Sequence, residues 1–447
     1  MVCLKKLSPV GISKHMKKPL CTFPWGHLDI ETNGDIKYCC ASLYDENHSH
    51  LDKNGNHYNV NTHTISEAWN SDRMRELRRK LHNGIKAPEC QVCWDQEAKG
   101  QWSVRTAAKD AERDDYPHIQ EVIDRSAENG FIVDELPKYY QIQTGNMCNL
   151  ACKMCHSDYS TTYGDFYFEI YPENVNQNKY NFLDDNKGQH RSATPARYTW
   201  PKDIGLINIL TDNKLDDVKR LFLSGGEPTI IVENLDFLEH LVNTGRSKNI
   251  HLIVITNCTK INPRFLEAIK HFRRSTITLS IDAVGEPIEI QRYPASWKRI
   301  DKNIQQYLEV SKQYPCVQVS FNVVVSYLTL PTVDRLLSYI ANKRKNYDLG
   351  VASLFSLVHS DLSLDIVPNS VIAQCQKQIE AVYNHHQTYY NEAIHQVIRT
   401  FLNGLEVFSK NNNNDFTEIQ SALEIMQKHH PDRDIKSIFP VYFPENL

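Results

Sequence analysis

The chain of 447 residues lacks any apolar run of the ~18 residues that a membrane-spanning helix needs, and its mean hydropathy is −0.50. It also lacks a charge of one sign. Fifty Lys and Arg face 54 Asp and Glu, a net charge of −4. Nothing electrostatic therefore argues for bulk nucleic-acid or anionic-membrane binding, although a local basic groove stays open. The start, MVCLKKLSPVGISKHMKK, is basic but has no apolar core of a secretory signal, so a cytoplasmic location is expected. Twelve cysteines are too few for a disulfide scaffold. Internal repeats are absent. No Ser-His-Asp or other acid–base set stands out among 19 scattered histidines. The pairs His385–His386 and His429–His430 read as solvated helix faces. What is present is ordinary for a globular chain, with 41% hydrophobic and 23% charged residues. The length predicts two or three domains.

Four textures follow one another along the chain. The first hundred residues carry turns, aromatic residues and six cysteines, of which all but Cys3 are grouped. HLDIETNGDIKYCC reads as a hairpin about Asn33-Gly34, and TISEAWNSDRMRELRRKLHNG as one helix from Thr64 or Ser66 to Gly84. Residues 105–137 are charged and helical, without signs of a deep core, and read as a connector. From Lys138 onward short apolar strands alternate with helical stretches: YYQIQTG, RLFLSGG, HLIVITN, TITLSID, VQVSFNVVV and LGVASLFSL. That alternation implies a parallel α/β sheet, doubly wound or closed toward a barrel. An Asn-, Tyr- and Asp-rich insertion, residues 160–215, separates the first two strands. After residue 358 the pattern is helical, with one long stretch from Asn369 to Leu405, the linker KNNNND and a further helix.

The strands also have sides. Ile277, Leu279 and Ile281 point one way, and Thr278, Ser280 and Asp282 the other. Val317, Val319, Phe321 and Val323 oppose Gln318, Ser320 and Asn322 in the same manner. A sheet between two helix layers would be apolar on both faces. One polar face suits a barrel or half-barrel whose inner wall binds a ligand.

The cysteines are grouped. Cys148, Cys152 and Cys155 follow the first strand of the alternating region as C-x3-C-x2-C. Zinc sites prefer four ligands in two close pairs, and a site completed by His156 is the alternative here. Three thiolates on one tight loop fit a cubic 4Fe–4S cluster that leaves one iron open. The position also matters, because α/β folds place their chemistry at the C-terminal ends of strands. Cys3, Cys258, Cys316 and Cys375 are scattered and read as small hydrophobes.

With this loop the sequence resembles the radical S-adenosylmethionine superfamily. The resemblance covers residues 138–358 and implies a six-stranded (β/α) partial TIM-like barrel. It continues in LSGGEP at the end of the next strand, where Gly225, Gly226 and Glu227 would meet the methionine amino group of S-adenosylmethionine. Asn257 in ITNC, Ser280 and Asp282 in LSIDA, and Asn322 in VSFNV resemble the family's polar contacts to ribose and carboxylate. Met154 stands where the family often has an aromatic residue.

The earlier group reads Cys21, Gly34, Cys39, Cys40, then Cys90 and Cys93 as C-x2-C. It resembles the SPASM and "twitch" domains that hold auxiliary 4Fe–4S clusters. The resemblance favours Cys21, Cys39, Cys90 and Cys93 as ligands, with Cys39 preferred over Cys40 by its spacing from Gly34. The domain precedes the barrel instead of following it, and the further cysteines of a full SPASM domain are absent. One auxiliary cluster is therefore expected, and a four-thiolate zinc site stays open. Gly100, Ser103 and Arg105 look like part of the same pattern, with no role legible.

The expected layout is a cysteine-rich domain over 1–104, a connector over 105–137, the partial barrel over 138–358 and a helical extension over 359–447. The resemblance implies an enzyme that uses S-adenosylmethionine, a 4Fe–4S cluster on Cys148, Cys152 and Cys155, and a flavodoxin- or ferredoxin-like electron donor. Its substrate would be a peptide or protein. The alternative is a non-catalytic iron–sulfur or zinc protein for binding or electron transfer on the same scaffold.

Overall fold

The computed structural model describes residues 21–45, 47–98, 103–106, 116–163, 198–211, 217–356, 362–411 and 414–443. Two compact units divide the chain. The first takes residues up to Leu28, then Lys37–Tyr58 and Ile65–Lys138; the second takes Asp29–Ile36, Asn59–Thr64 and Tyr139 onward.

The first unit is organised on the helix Asp72–His82. Met74, Leu77, Arg78 and Leu81 recur at helical spacing and are its buried residues. The run read as one helix is two, Ile65–Trp69 and Asp72–His82. Ser71 causes the break: its hydroxyl accepts from the Met74 N–H at 3.2 Å and caps the second helix. Asn70 is meanwhile drawn to Val133, with both the backbone N–H and the C=O of Val133 bonded to its amide. Gly84, at φ 73°, ends the second helix in a conformation that costs glycine least. The helix Ile119–Glu128 is more than a connector. Ile119, Val122, Ile123 and Ser126 are buried, and the Ser126 hydroxyl accepts from the Trp25 indole at 2.7 Å.

The sheet has eight strands in the order β2-β1-β3-β4-β5-β6-β7-β8. They are β1 (His27–Ile30), β2 (Ile36–Lys37), β3 (Tyr139–Gln143), β4 (Arg220–Ser224), β5 (His251–Thr256), β6 (Arg274–Ser280), β7 (Val317–Val325) and β8 (Leu349–Ser356). From β3 to β8 every neighbouring pair is parallel, in chain order, and the order stays open. These are the six expected strands. The two extra ones come from the Asn33-Gly34 hairpin, whose inner part, Asp29–Ile36, counts with the second unit.

The sidedness of the strands follows the alternation in the sequence. Ile277, Leu279, Val319 and Phe321 are at most 2% exposed, while Ser320 and Asn322 on the other face are half-buried. Helices Val232–Asn243, Trp297–Gln313 and Val333–Arg344 carry the matching apolar stripes, among them Leu235, Leu238, Ile300, Ile304, Leu336 and Ile340. A register shift between Phe321 and Asn322 places Ser353, not Ala352, opposite Asn322. Bulges of this kind re-aim side chains next to sites.

The long C-terminal stretch is two helices, Asn369–His386 and Glu392–Asn411, broken at Asn391, whose side chain accepts from the Ile394 N–H at 3.0 Å. Glu392–Asn411 packs on β8 and so covers the last strand of the sheet. Among the described residues no helix is long and apolar enough to cross a membrane. Gly100, Cys3, Asn412 and Asn413, and residues 164–197 and 212–216 of the insertion, lie outside the described residues.

Candidate functional site

The cysteine loop leaves β3 at its C-terminal end and is fastened from three sides. On the first, the turn after it binds back: Thr162 Oγ donates to the Cys148 carbonyl at 2.7 Å and Ser160 Oγ to the Leu150 carbonyl at 2.6 Å. On the second, the N–H groups of Ala151 and Lys153 donate to the carbonyls of Tyr293 and Gln291 at 2.6 and 2.8 Å. On the third, the Gly225–Gly226–Glu227 turn after β4 closes against it. The Gly226 N–H donates to Gly145 O at 2.9 Å and the Glu227 N–H to Met147 O at 2.8 Å. A Cβ on Gly226 would stand 2.2 Å from Met147 O, and Gly225 has φ 111°. Only glycine permits that approach at both positions.

Glu227 was expected to face a ligand ammonium. Its carboxylate is instead turned inward, 1% exposed. Oε1 accepts from Thr229 Oγ at 2.5 Å and Thr256 Oγ at 2.6 Å, and Oε2 from the Asn257 N–H at 2.6 Å. Burial raises its pKa against these bonds. Glu227 thus ties the β4 turn to the end of β5. Asn257, held by that bond, directs Nδ2 toward Cys148 Sγ at 3.8 Å and Asn149 Oδ1 at 3.2 Å.

Asp282, at the end of β6, is also fully engaged. It is 0% exposed, and its carboxylate accepts from Arg292 Nε and Nη2 at 2.6 and 2.8 Å, Gln291 Nε2 at 2.7 Å and the Val324 N–H at 3.0 Å. Arg292, in turn, points Nη1 at Cys152 Sγ, 3.9 Å away. Ser280 and Asn322 are register partners on the polar face, and Ser353 Oγ donates to Asn322 Oδ1. The strand ends therefore collect Asn257, Ser280 and Asn322 on the polar side of β5 to β7, while Glu227 and Asp282 brace the backbone around them.

Burial dominates the thiols. The Cys148 thiol is pushed up to about 12, with Cys152 and Glu227 adding to the effect. Cys155 is raised by burial and then by Cys152 and Cys148. Cys152 is raised by burial, and Arg292 pulls it back down. Cys152 thus bears on both Cys148 and Cys155. Metal must displace their protons to bind, which couples binding to pH. Among the described residues no three His, Cys, Asp or Glu side chains are arranged to hold a single metal ion. A cubic cluster asks for something else, since each thiolate binds its own iron.

The first unit gathers Cys21, Cys39, Cys90 and Cys93. Cys21 is raised by burial and then by Cys39, with Cys93 contributing; Cys90 is raised by burial and then by Cys39, Cys21 and Cys93. Cys39 is thus a neighbour that bears on both Cys21 and Cys90. Ser103 and Arg105 acquire a place. The Cys93 thiol, raised by burial, is drawn back by the Arg105 N–H and the Ser103 hydroxyl. Glu97 holds both, accepting from Ser103 Oγ at 2.6 Å and Arg105 Nε at 2.8 Å, and the Arg105 guanidinium lies over the Trp94 ring at 5.2 Å.

Sequence reading missed Arg292, Gln291, Thr229 and Thr256, which act through residues it named. It misread His430. That residue is 3% exposed, packed edge-on to Tyr293 at 5.1 Å, and its pKa is lowered to about 4 by burial. Arg433 just beyond it pairs with Glu286 and Glu289 at 3.2 and 2.8 Å. The C-terminal segment thereby closes over the same helix, Glu286–Gln291, that fastens the cysteine loop. Cys258 and Cys375 are buried, as small hydrophobes would be, and Cys316 is half-buried.

Three cysteines thus follow the first parallel strand of an open sheet, and Cys21, Cys39, Cys90 and Cys93 lie in the first unit. Two family models match the chain: Radical SAM superfamily over residues 142–333, and SPASM, an iron–sulfur cluster-binding domain, over residues 21–94. The chain carries a radical SAM domain preceded by a SPASM iron–sulfur domain, and these imply 4Fe–4S clusters and S-adenosylmethionine as cofactors. No curated protein matches it in sequence. Among solved structures it is similar to Streptococcus suis SuiB bound to S-adenosylmethionine, at 13% identity and TM-score 0.35, covering 70% of this chain and 57% of that one. It is also similar to anSMEcpe with bound AdoMet, at 16% identity and TM-score 0.32, covering 54% of this chain and 59% of that one. The methyltransferase TsrM from Kitasatospora setae follows at 9% identity and TM-score 0.28, covering 37% of this chain and 32% of that one.

Proposed function

We propose that this protein is an enzyme that cleaves S-adenosylmethionine reductively and abstracts hydrogen from a peptide or protein substrate. The observation that carries the reading is the cysteine loop, with Cys152 buried and Cys148 and Cys155 half-buried after β3, and the Gly225–Gly226–Glu227 turn closed against it. A cluster held by Cys148, Cys152 and Cys155 would supply one electron, and cleavage of S-adenosylmethionine would then give methionine and a 5′-deoxyadenosyl radical. The residues around it do the positioning. Gly225 and Gly226 bring main chain close to the loop, and the polar groups of Asn257, Ser280 and Asn322 offer bonds to a nucleoside and an amino acid. Cys21, Cys39, Cys90 and Cys93 would hold an auxiliary cluster, and an external flavodoxin- or ferredoxin-like protein would supply the electron. The peptide or protein substrate is supported by the SPASM domain, which in the enzymes this chain resembles often accompanies peptide modification.

The test is direct. Reconstituted protein receives dithionite and S-adenosylmethionine, and 5′-deoxyadenosine is measured. Formation of that product supports the reading. Neither product nor binding would leave only a cluster carrier. Turnover only on a free sugar or nucleotide would refute the peptide or protein substrate.

A further inference from the structure

We propose that Arg292 is a positioning residue that raises the reduction potential of the cluster on Cys148, Cys152 and Cys155, with Asp282 as its anchor. The inference rests on the proposed function and concerns how this chain makes its cluster reducible.

The geometry is specific. Arg292 follows the helix Glu286–Gln291 and is 7% exposed. Its guanidinium divides its bonds: Nε and Nη2 fork onto Asp282, and Nη1 reaches Cys152 Sγ at 3.9 Å. Asp282 cannot turn away, since the Val324 N–H and Gln291 Nε2 hold the same carboxylate. The main chain fixes the register as well. The residues on either side of Cys152 donate to the carbonyls on either side of Arg292: Ala151 to Tyr293, and Lys153 to Gln291. Sulfur and guanidinium are therefore locked together by four independent bonds around them.

The physical consequence concerns charge. Reduction moves one electron from a low-potential donor, dithionite or a flavodoxin-like protein, onto the cluster. No bond or proton need change at Arg292. The added negative charge arrives beside a buried cation. Hydrogen bonds to cluster sulfurs and local charge are the levers by which proteins set such potentials. Asp282 opposes the effect, but it lies behind the guanidinium. Unit charges about 8 Å apart at an effective dielectric of ~20 shift an equilibrium by more than a factor of ten.

The experiment is an EPR-monitored redox titration of the full chain, following the signal that S-adenosylmethionine perturbs. Arg292→Gln and Arg292→Lys are compared with the wild type at matched iron content. Arg292→Gln is expected to lower the reduction equilibrium at least tenfold, about 59 mV for one electron. Arg292→Lys keeps the cation and is expected to change it less than threefold. An unchanged potential in an iron-replete Gln variant overturns the inference. A tenfold fall in the Lys variant overturns it too, whether or not the Gln variant assembles. Loss of the cluster in both variants shows a purely structural role and overturns it as well. If the wild type itself shows no signal that responds to S-adenosylmethionine, the proposed function fails first, and this inference with it.

Discussion

Replacing Gly226 by Ala places a methyl group where the fold has none to spare. The new Cβ would lie 2.2 Å from Met147 O, 2.6 Å from Met147 C and 2.8 Å from Asn146 C. All three are backbone atoms, so no side chain can swing aside. The turn and the cysteine loop must separate by about 1 Å to reach ordinary contact, and this strains the 2.8 Å bond from the Glu227 N–H to Met147 O. Overpacking costs about 1–3 kcal/mol and the lost hydrogen bond about 1 kcal/mol, so the second unit should lose about 2–4 kcal/mol. Function should suffer more than stability, because a displacement of about 1 Å next to reacting groups costs on the order of 100-fold. Gly245→Ala is the control. Gly245 has φ 74° and open space around it, and it precedes β5 at the opposite end of the strand from the site. That variant should lose about 1–2 kcal/mol of stability to backbone strain and keep its ligand affinity. Urea unfolding and equilibrium binding of S-adenosylmethionine to the reconstituted proteins give both numbers. Wild-type affinity in Gly226→Ala, or equal losses of affinity in the two variants, would refute the close-approach argument.

Two further perturbations follow from buried groups. Arg78 is 0% exposed and donates to Pro24 O, Asn70 Oδ1 and Phe131 O at 2.6, 2.9 and 3.0 Å. Arg78→Met strands those acceptors and should destabilise the first unit by about 2–4 kcal/mol, read as a lower urea midpoint. The His430 imidazole titrates near 6.5 when unfolded and is lowered to about 4 by burial. The unfolded chain therefore takes up a proton first as pH falls, and stability is lost between about 6.5 and about 4. His430→Gln should flatten that dependence by about 3 kcal/mol in unfolding curves taken across this range; an unchanged slope would argue against a neutral buried ring.

Much of the fold was legible because its signals are local. Alternation along TITLSID and VQVSFNVVV reports which side of each strand is dry, and the six parallel strands lie where the pattern puts them. The cysteine triplet was legible for the same reason, since its spacing sits within one loop. What escaped reading depends on contacts between distant segments. Asp282 looks like a ligand-facing carboxylate until the chain folds back ten residues later and delivers Arg292. Glu227 looks like an anchor for an ammonium, yet Thr229, Thr256 and the Asn257 N–H pull it inward. The bulge opposite Phe321 and Asn322, which brings Ser353 to Asn322, carries no mark in composition. His429 and His430 resemble a solvated helix end, and only packing against Tyr293 reveals that His430 is buried.

The central claim is that the two cysteine groups do different work, and one set of measurements addresses it. Cys148, Cys152 and Cys155 are replaced by Ala together, and Cys90 and Cys93 in a second variant, each checked for solubility and secondary structure because metal ligation also supports folding. Iron content and 5′-deoxyadenosine formation are then measured with dithionite and S-adenosylmethionine. The account predicts that each variant loses about four irons, on the basis of one cubic cluster per site. It further predicts that only the triple variant loses 5′-deoxyadenosine altogether, while the Cys90/Cys93 variant keeps some unproductive cleavage and no longer modifies substrate. Undiminished 5′-deoxyadenosine from the triple variant would contradict the account at its core.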